Sequence, residues 1–210
     1  MTDELHWLPL EAPLAGAAVW QSYSRAHRVE LGATAVASDG GLYLFDPIPL
    51  AGEALDELLS HGTPAAIYLS SGNHERAAAE YARRFKIPIH AHAEAIREFT
   101  TDEAKSAHSF ADEALLPGGF RALALPGGPE GETAFYHESN GGCLIVGDAF
   151  INLGSTGLSL LPDKYCLAPA ELRRSLRRLL PLAVEKLFFA HGLPITQKAG
   201  ERLAALLAEE

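Results

Sequence analysis

Residues Leu69-Ser70-Ser71-Gly72-Asn73-His74-Glu75-Arg76 read LSSGNHER. The apolar run AAIYL (65–69) leads into them, and AAAEYARRF (77–85) follows. A buried strand that ends in a polar cluster and continues as a helix is a place where α/β proteins put chemistry. The pattern predicts a helix from about His74 to Phe85. Ser71 and Asn73 carry side chains that can cap it. Together with Arg76 they would also make an anion site at the helix N-terminus.

Upstream, VELGATAVAS (29–38) and LYLFDPI (42–48) read as strands around the turn residues Asp39-Gly40-Gly41. GEALDELLSHG (52–62) reads as a helix stopped at Gly62. Downstream, KIPIHAHAEA (86–95) is a short strand running into a helix. FRALALPGG (120–128) is a strand and a tight turn, and ETAFYHES, NGG and CLIVGDAF (132–150) form a hairpin. INLGSTGLSLLPDKY (151–165) reads as a Gly- and Ser-rich loop. Pro169 and Glu171 suit a helix start, with the helix bent or ended near Pro181. KLFFA (186–190) is a buried strand before His191-Gly192, and ITQKAGERLAALLAEE (195–210) is a closing amphipathic helix. Each half has strands first, then strands alternating with helices. A four-layer αββα sandwich of two mixed sheets is one α/β arrangement that this order allows.

Composition narrows the function classes. The chain has 210 residues, 48% hydrophobic and 21% charged, with a formal net charge of −10. This is the balance of a globular protein, expected as a single domain over 1–210. Sequence-independent nucleic-acid binding needs a basic surface, so nucleic acid is not an expected partner. Arg173, Arg174, Arg177 and Arg178 form basic i, i+4 rows, read as a solvated helix face. Cys143 and Cys166 have no short-spaced partner and read as inert thiols, which fits a cytoplasmic protein. The start, MTDELHW, lacks the basic and apolar segments of a signal peptide. No apolar run approaches the ~20 residues of a membrane span, so no membrane partner is expected.

The strand ends, taken in order, read FDPI, LSSGNHER, LPGGPEGET, LIVGDAF and FFAHG. This order resembles the metallo-β-lactamase superfamily, glyoxalase II-like members included. Those proteins carry an early Asp, a Thr-His-x-His-x-Asp-His motif, a Gly-His-Thr-Pro-Gly turn, a Gly-Asp strand end and a final His-Gly. The resemblance runs from about Val29 to the C-terminal helix and implies the αββα sandwich. In the family the pattern supplies N and O ligands to two divalent ions for hydrolysis. Asp46 falls where the family has an Asp that supports the site through its ligands; otherwise it is a turn residue before Pro47.

Matched position by position, Ser71 falls on the first His, Asn73 on the second, Glu75 on the Asp and Arg76 on the third His. Gly128 stands where the family has the His of its Gly-rich turn. Asp148 and His191 keep their residue types, and His74 lands between ligand positions. LSSGNHER also resembles a reduced motif of some branches, Leu-Thr-Asn-x-x-His-x-Arg. A guanidinium cannot ligate a metal. Arg76 is therefore expected to replace metal–carboxylate attraction with a bidentate pair to Asp148, leaving a degenerate metal site.

Two functional readings follow from these residues. In the first, the chain holds no metal cofactor, or binds a metal only weakly, and takes a small, anionic molecule through Ser71, Asn73, Arg76, the helix N-terminus and His191; Asp148 and His191 are then either a general-base pair or an inherited structural pair. In the second, it is a hydrolase of thioesters or phosphoesters, with one zinc, iron or manganese ion on His74, Asp148 and His191. A structural or partner-binding role is the third option. His90 and His92 alternate in IHAHAEA and would share one strand face, without a third ligand in view.

Overall fold

The computed structural model describes residues 5–8, 17–25, 28–154 and 156–209. The signal-peptide expectation for the first residues lies largely outside them.

Seven strands form the first sheet in chain order: β1 (Leu5–Leu8), β2 (Ala17–Ser24), β3 (Val29–Ser38), β4 (Gly41–Phe45), β5 (Pro64–Leu69), β6 (Ile89–His92) and β7 (His108–Phe110). β1 to β4 pair antiparallel, and β4 to β7 pair parallel. The turn between β3 and β4 has φ of 46° at Asp39 and 80° at Gly40. Two left-handed residues are what a tight two-residue hairpin needs, and Asp-Gly is a pair that tolerates them. The second part of the chain supplies β8 (Leu115–Leu116), β9 (Phe120–Ala124), β10 (Thr133–His137), β11 (Cys143–Val146), β12 (Phe150–Leu153), β13 (Gly157–Leu160) and β14 (Lys186–Phe189). Five of them make the second sheet, in the order β14-β11-β10-β9-β8.

The helices are α1 (Glu53–Ser60), α2 (Ala78–Phe85), α3 (Ala93–Glu98), α4 (Asp102–Lys105), α5 (Pro169–Leu176) and α6 (Ala199–Ala208). Side-chain alternation along the strands builds three apolar layers. Phe45, Tyr68, Phe120, Phe135, Ile145 and Phe188 are buried in one cluster between the sheets. Their strand neighbours Leu44, Ile67 and Leu69 face the other way and pack with Leu55 and Leu58 of α1 and Tyr81 of α2. Leu144 and Val146 do the same for α5 and α6, meeting Leu172, Leu176, Leu203 and Leu207. The expected αββα sandwich is the observed architecture.

Two local expectations are corrected. The helix does not begin at His74: Gly72–His74 is a 3-10 turn, and α2 starts at Ala78. Arg76 breaks the path between them with a left-handed backbone, φ 40°. The 151–165 stretch is not a plain loop, because β12 and β13 form an antiparallel hairpin within it. Its backbone finds further partners in the last strand's exit: Asn152 N–H donates to His191 O (3.1 Å) and Leu193 N–H to Asn152 O (3.0 Å).

Candidate functional site

The site gathers at the C-terminal ends of strands from both sheets. Asp46 directly follows β4, and Ser70 directly follows β5. His74 closes the 3-10 turn that comes next. Asp148 and His191 each stand two residues beyond their strands, β11 and β14. These two strands are neighbours, parallel and in register, with Val146 beside Phe189. Two residues far apart in sequence therefore emerge side by side. Gly147 is a close approach: a Cβ there would collide with Ser70 Oγ and lie 2.9 Å from Glu132 Oε1. Gly192 turns the chain away after His191 with φ 104°.

His74 is 2% exposed. Its Nδ1 lies 2.8 Å from Ser70 Oγ and 3.1 Å from Asp46 Oδ2. Asp46 also accepts from Ser70 N–H (2.8 Å) and Ser70 O–H (2.5 Å). With Ser70 donating to Asp46, the Nδ1 of His74 carries a hydrogen, and its Nε2 is turned toward Asp148 Oδ1 at 3.4 Å. Burial and the Arg76 charge push the imidazole pKa down. Asp148 and Asp46 outweigh them and hold it up at about 9. Burial alone would raise the Asp148 carboxyl, but His74 and His191 hold it well below the usual carboxylate range.

His191 is oriented in the same manner. Its Nδ1 lies 2.8 Å from Glu30 O, a pure acceptor, so Nδ1 carries the hydrogen. Its Nε2 stands 3.0 Å from the same Asp148 Oδ1. The ligand atoms of His74, Asp148 and His191 all lie within 4.8 Å of one another. The placement of His74 off the ligand position, expected from helical register, is thus overturned. The 3-10 turn rotates the ring inward.

Arg76 does not form the expected pair with Asp148. Its Nη1 donates to Gly32 O (2.6 Å) and Asp46 O (3.2 Å), and its Nη2 reaches Ala190 O (3.4 Å) and His191 Nε2 (3.5 Å). The left-handed backbone at Arg76 sends the side chain beneath the strand ends, where three carbonyls stand closer than the carboxylate. Ser71 and Asn73 do not cap α2 either, because the helix begins after them at the N-cap Ala77, which makes no side-chain capping bond. Ser71 is fully buried, and its Oγ has no hydrogen-bond partner among the described residues. Asn73 is exposed, with Nδ2 3.5 Å from Asp148 Oδ2.

Glu75 is turned away from the cluster. Its carboxylate accepts from Thr100 N–H (2.6 Å), Thr100 O–H (3.0 Å) and Thr101 N–H (2.8 Å), and so fastens the joint between α3 and α4. His90 and His92 do share a strand face, but they serve separate neighbours. His90 packs 5.4 Å from the Tyr68 ring, and His92 Nδ1 accepts from Glu94 N–H. In the arginine rows, Arg173 pairs with Asp163, and Arg178 pairs with Asp112 and Glu113. Cys143 is buried and Cys166 partly so, both free.

Two members of the cluster escape sequence reasoning, Ser70 and Glu132. Glu132 is 3% exposed; its Oε1 accepts from Ala149 N–H at 2.8 Å, and its Oε2 has no partner among the described residues. Burial and then the Asp148 charge hold its carboxyl well above the usual range. A lone Glu in a Gly-rich turn carries no signal that would mark it.

A family model described as metallo-beta-lactamase superfamily matches residues 14–209. The chain belongs to that superfamily. Solved structures agree on the fold. The DIM-1 metallo-beta-lactamase aligns with a TM-score of 0.72 at 16% identity, covering 98% of each chain. A metallo-beta-lactamase family protein of Thermus thermophilus, TTHA1429, aligns at 0.66 with 19% identity, over 94% of this chain and 80% of that one. TTHA1623, solved in a di-iron-bound form, aligns at 0.62 with 26% identity, over 80% of this chain and 90% of that one. No curated protein matches the chain.

The superfamily implies a metal, and the donor set fits one ion. Two donors at about 2.1 Å from a shared ion stand roughly 3.0–3.4 Å apart, from right-angled to tetrahedral geometry. The two His–Asp148 separations are 3.0 and 3.4 Å. Two imidazoles and a carboxylate suit zinc, iron or manganese. A second ion next to His191 would meet the fixed charge of Arg76. Among the described residues no other such group of three donors occurs, and no helix is long and apolar enough to cross a membrane.

Proposed function

We propose that this chain is a hydrolase-type member of the superfamily that holds one divalent ion on His74, Asp148 and His191. One observation carries the reading. Both rings keep Nδ1 on an acceptor and aim Nε2 at a single carboxylate oxygen. A neutral ring would then point a lone pair at a carboxylate, which is repulsive. Either separate charges relieve it, a second proton on His74 and the Arg76 Nη2 that lies 3.5 Å from His191 Nε2, or a shared cation lies among the three atoms. The second arrangement satisfies all three donors at once.

When bound, such an ion supplies Lewis-acid polarisation of a carbonyl or phosphoryl oxygen. The chain's own groups have distinct tasks. Asp46, Ser70 and the Glu30 carbonyl fix the two imidazoles. Asn73, exposed beside Asp148, offers an amide to a substrate at the rim. The Arg76 charge beside His191 favours substrates that are anionic or develop negative charge, such as phosphoesters or thioesters. The metal-free anion-binding alternative is less well supported, because the Arg76 donors are taken up by backbone carbonyls.

Metal content of protein prepared without chelator tests the reading. One equivalent of zinc, iron or manganese is expected, absent in Asp148→Ala, with thioester or phosphodiester hydrolysis lost in His191→Ala. Metal-free protein that takes up none of these ions at micromolar concentration would refute it.

A further inference from the structure

We propose that the groove between α2 and α4 binds a small amphiphilic anion, one acid group on a compact apolar body. A cavity of about 280 Å³ opens there, on the outer side of the seven-stranded sheet. None of its lining residues belongs to the His74–Asp148–His191 cluster. The volume lies near the lower end of small-molecule pockets, about 300–1,000 Å³, which suits one ring with an acid group.

The wall is apolar, made by Ala82, Ile87, Pro88 and Ile89. Two cations, Arg83 and Lys86, line it as well, with Ser106 and His108. Glu103 also lines the groove, but Arg83 Nε is 3.2 Å from its Oε1, so its charge is already countered. The same Nε is within hydrogen-bond distance of Ala79 O (3.2 Å), which fixes the root of the guanidinium. Lys86 forms no ion pair among the described residues. The groove is thus net positive in a chain of formal net charge −10. An inorganic ion would use the cations and ignore the wall, whereas an apolar molecule would leave the cations idle. An amphiphilic anion uses both.

The backbone adds an independent mark. Lys86 ends α2 in the left-handed region, φ 56°. Glycine is the residue that adopts this helix-ending conformation without strain. A lysine there retains a cation at the groove against the local backbone preference.

Benzenesulfonate, which has no hydrolysable ester bond, followed by calorimetry and by amide shifts, is the probe, with inorganic sulfate as comparator. Benzenesulfonate is expected to bind at one equivalent and more tightly than sulfate. Lys86→Gly and Arg83→Gln should each weaken it about tenfold or more. Lys86→Gly should at the same time raise the melting temperature, which separates lost binding from lost folding. Asp148→Ala should leave this binding unchanged. The proposal is overturned by any of four results: no benzenesulfonate binding, equal affinity for inorganic sulfate (an adventitious ion only), full affinity in both groove variants, or loss of binding in Asp148→Ala.

Discussion

The Nδ1 of His74 stands 3.1 Å from Asp46 Oδ2, and this contact decides what the other side of the ring can do. A carboxylate behind an imidazole fixes its tautomer and its plane and makes its far nitrogen a better donor. Asp46→Asn keeps the shape and removes the charge. Metal affinity, read by competition with a chromophoric chelator, should fall about 10–100-fold, with the fold retained by circular dichroism.

Metal uptake should also depend on pH. In the metal-free chain the raised pKa of His74, about 9, keeps a proton on its ring beside Asp148, and an incoming ion must expel it. Apparent affinity should climb as pH rises from about 6 to 8, with proton release visible in calorimetry across buffers of different ionisation enthalpy. A flat profile would count against the three-donor site.

Arg76 ties three carbonyls that belong to different parts of the fold, at Gly32, Asp46 and Ala190. Truncation to Ala takes this donor from the Gly32 and Asp46 carbonyls, while Ala190 O keeps the Gly32 N–H at 2.7 Å. A buried polar group without its partner costs about 1–3 kcal/mol, so urea denaturation of Arg76→Ala should show a loss in at least that range. Lysine, with one point-like head group, should recover only part of it.

The inter-sheet layer gives a larger effect. Phe135 is fully buried against Phe45 and Tyr68, with ring centroids 5.4 and 5.5 Å away. Phe135→Ala should cost about 3–5 kcal/mol in the same assay, through lost burial and the cavity left behind.

Asp112 gives a pH test away from the site. Burial would raise its carboxyl, but Arg178 and the Ala124 N–H outweigh it and hold the pKa below the usual carboxylate value. A depressed carboxyl contributes stability that is present above its unfolded pKa, about 3.9, and is lost as pH falls through the folded value. The stability gap between wild type and Asp112→Asn should therefore be small, present at pH 7, and gone at low pH. It should also shrink in 1 M salt, because the pair is partly exposed.

Asp148 and His191 are legible in the sequence because each follows an apolar strand that reads clearly and ends in Gly-Asp or His-Gly. His74 misleads for a local reason. An ideal helix from His74 would turn its ring aside, and nothing in LSSGNHER announces a 3-10 turn followed by a left-handed Arg76. The charge of Arg76 suggests a carboxylate partner. Residue types do not reveal that three backbone carbonyls stand nearer. The β12–β13 hairpin is hidden because its further pairing partners, His191 and Leu193, lie far along the chain. The αββα order itself is readable, since alternation and turn residues act locally on every strand.

Asp46 and His74 come from the seven-stranded sheet, while Asp148 and His191 come from the five-stranded one. Neither sheet owns a complete donor set, so the centre exists only after the two have docked. An ion held there would act as a rivet through the sandwich. It would bind no isolated half, and it would raise the resistance of the whole chain to unfolding in proportion to the logarithm of its free concentration.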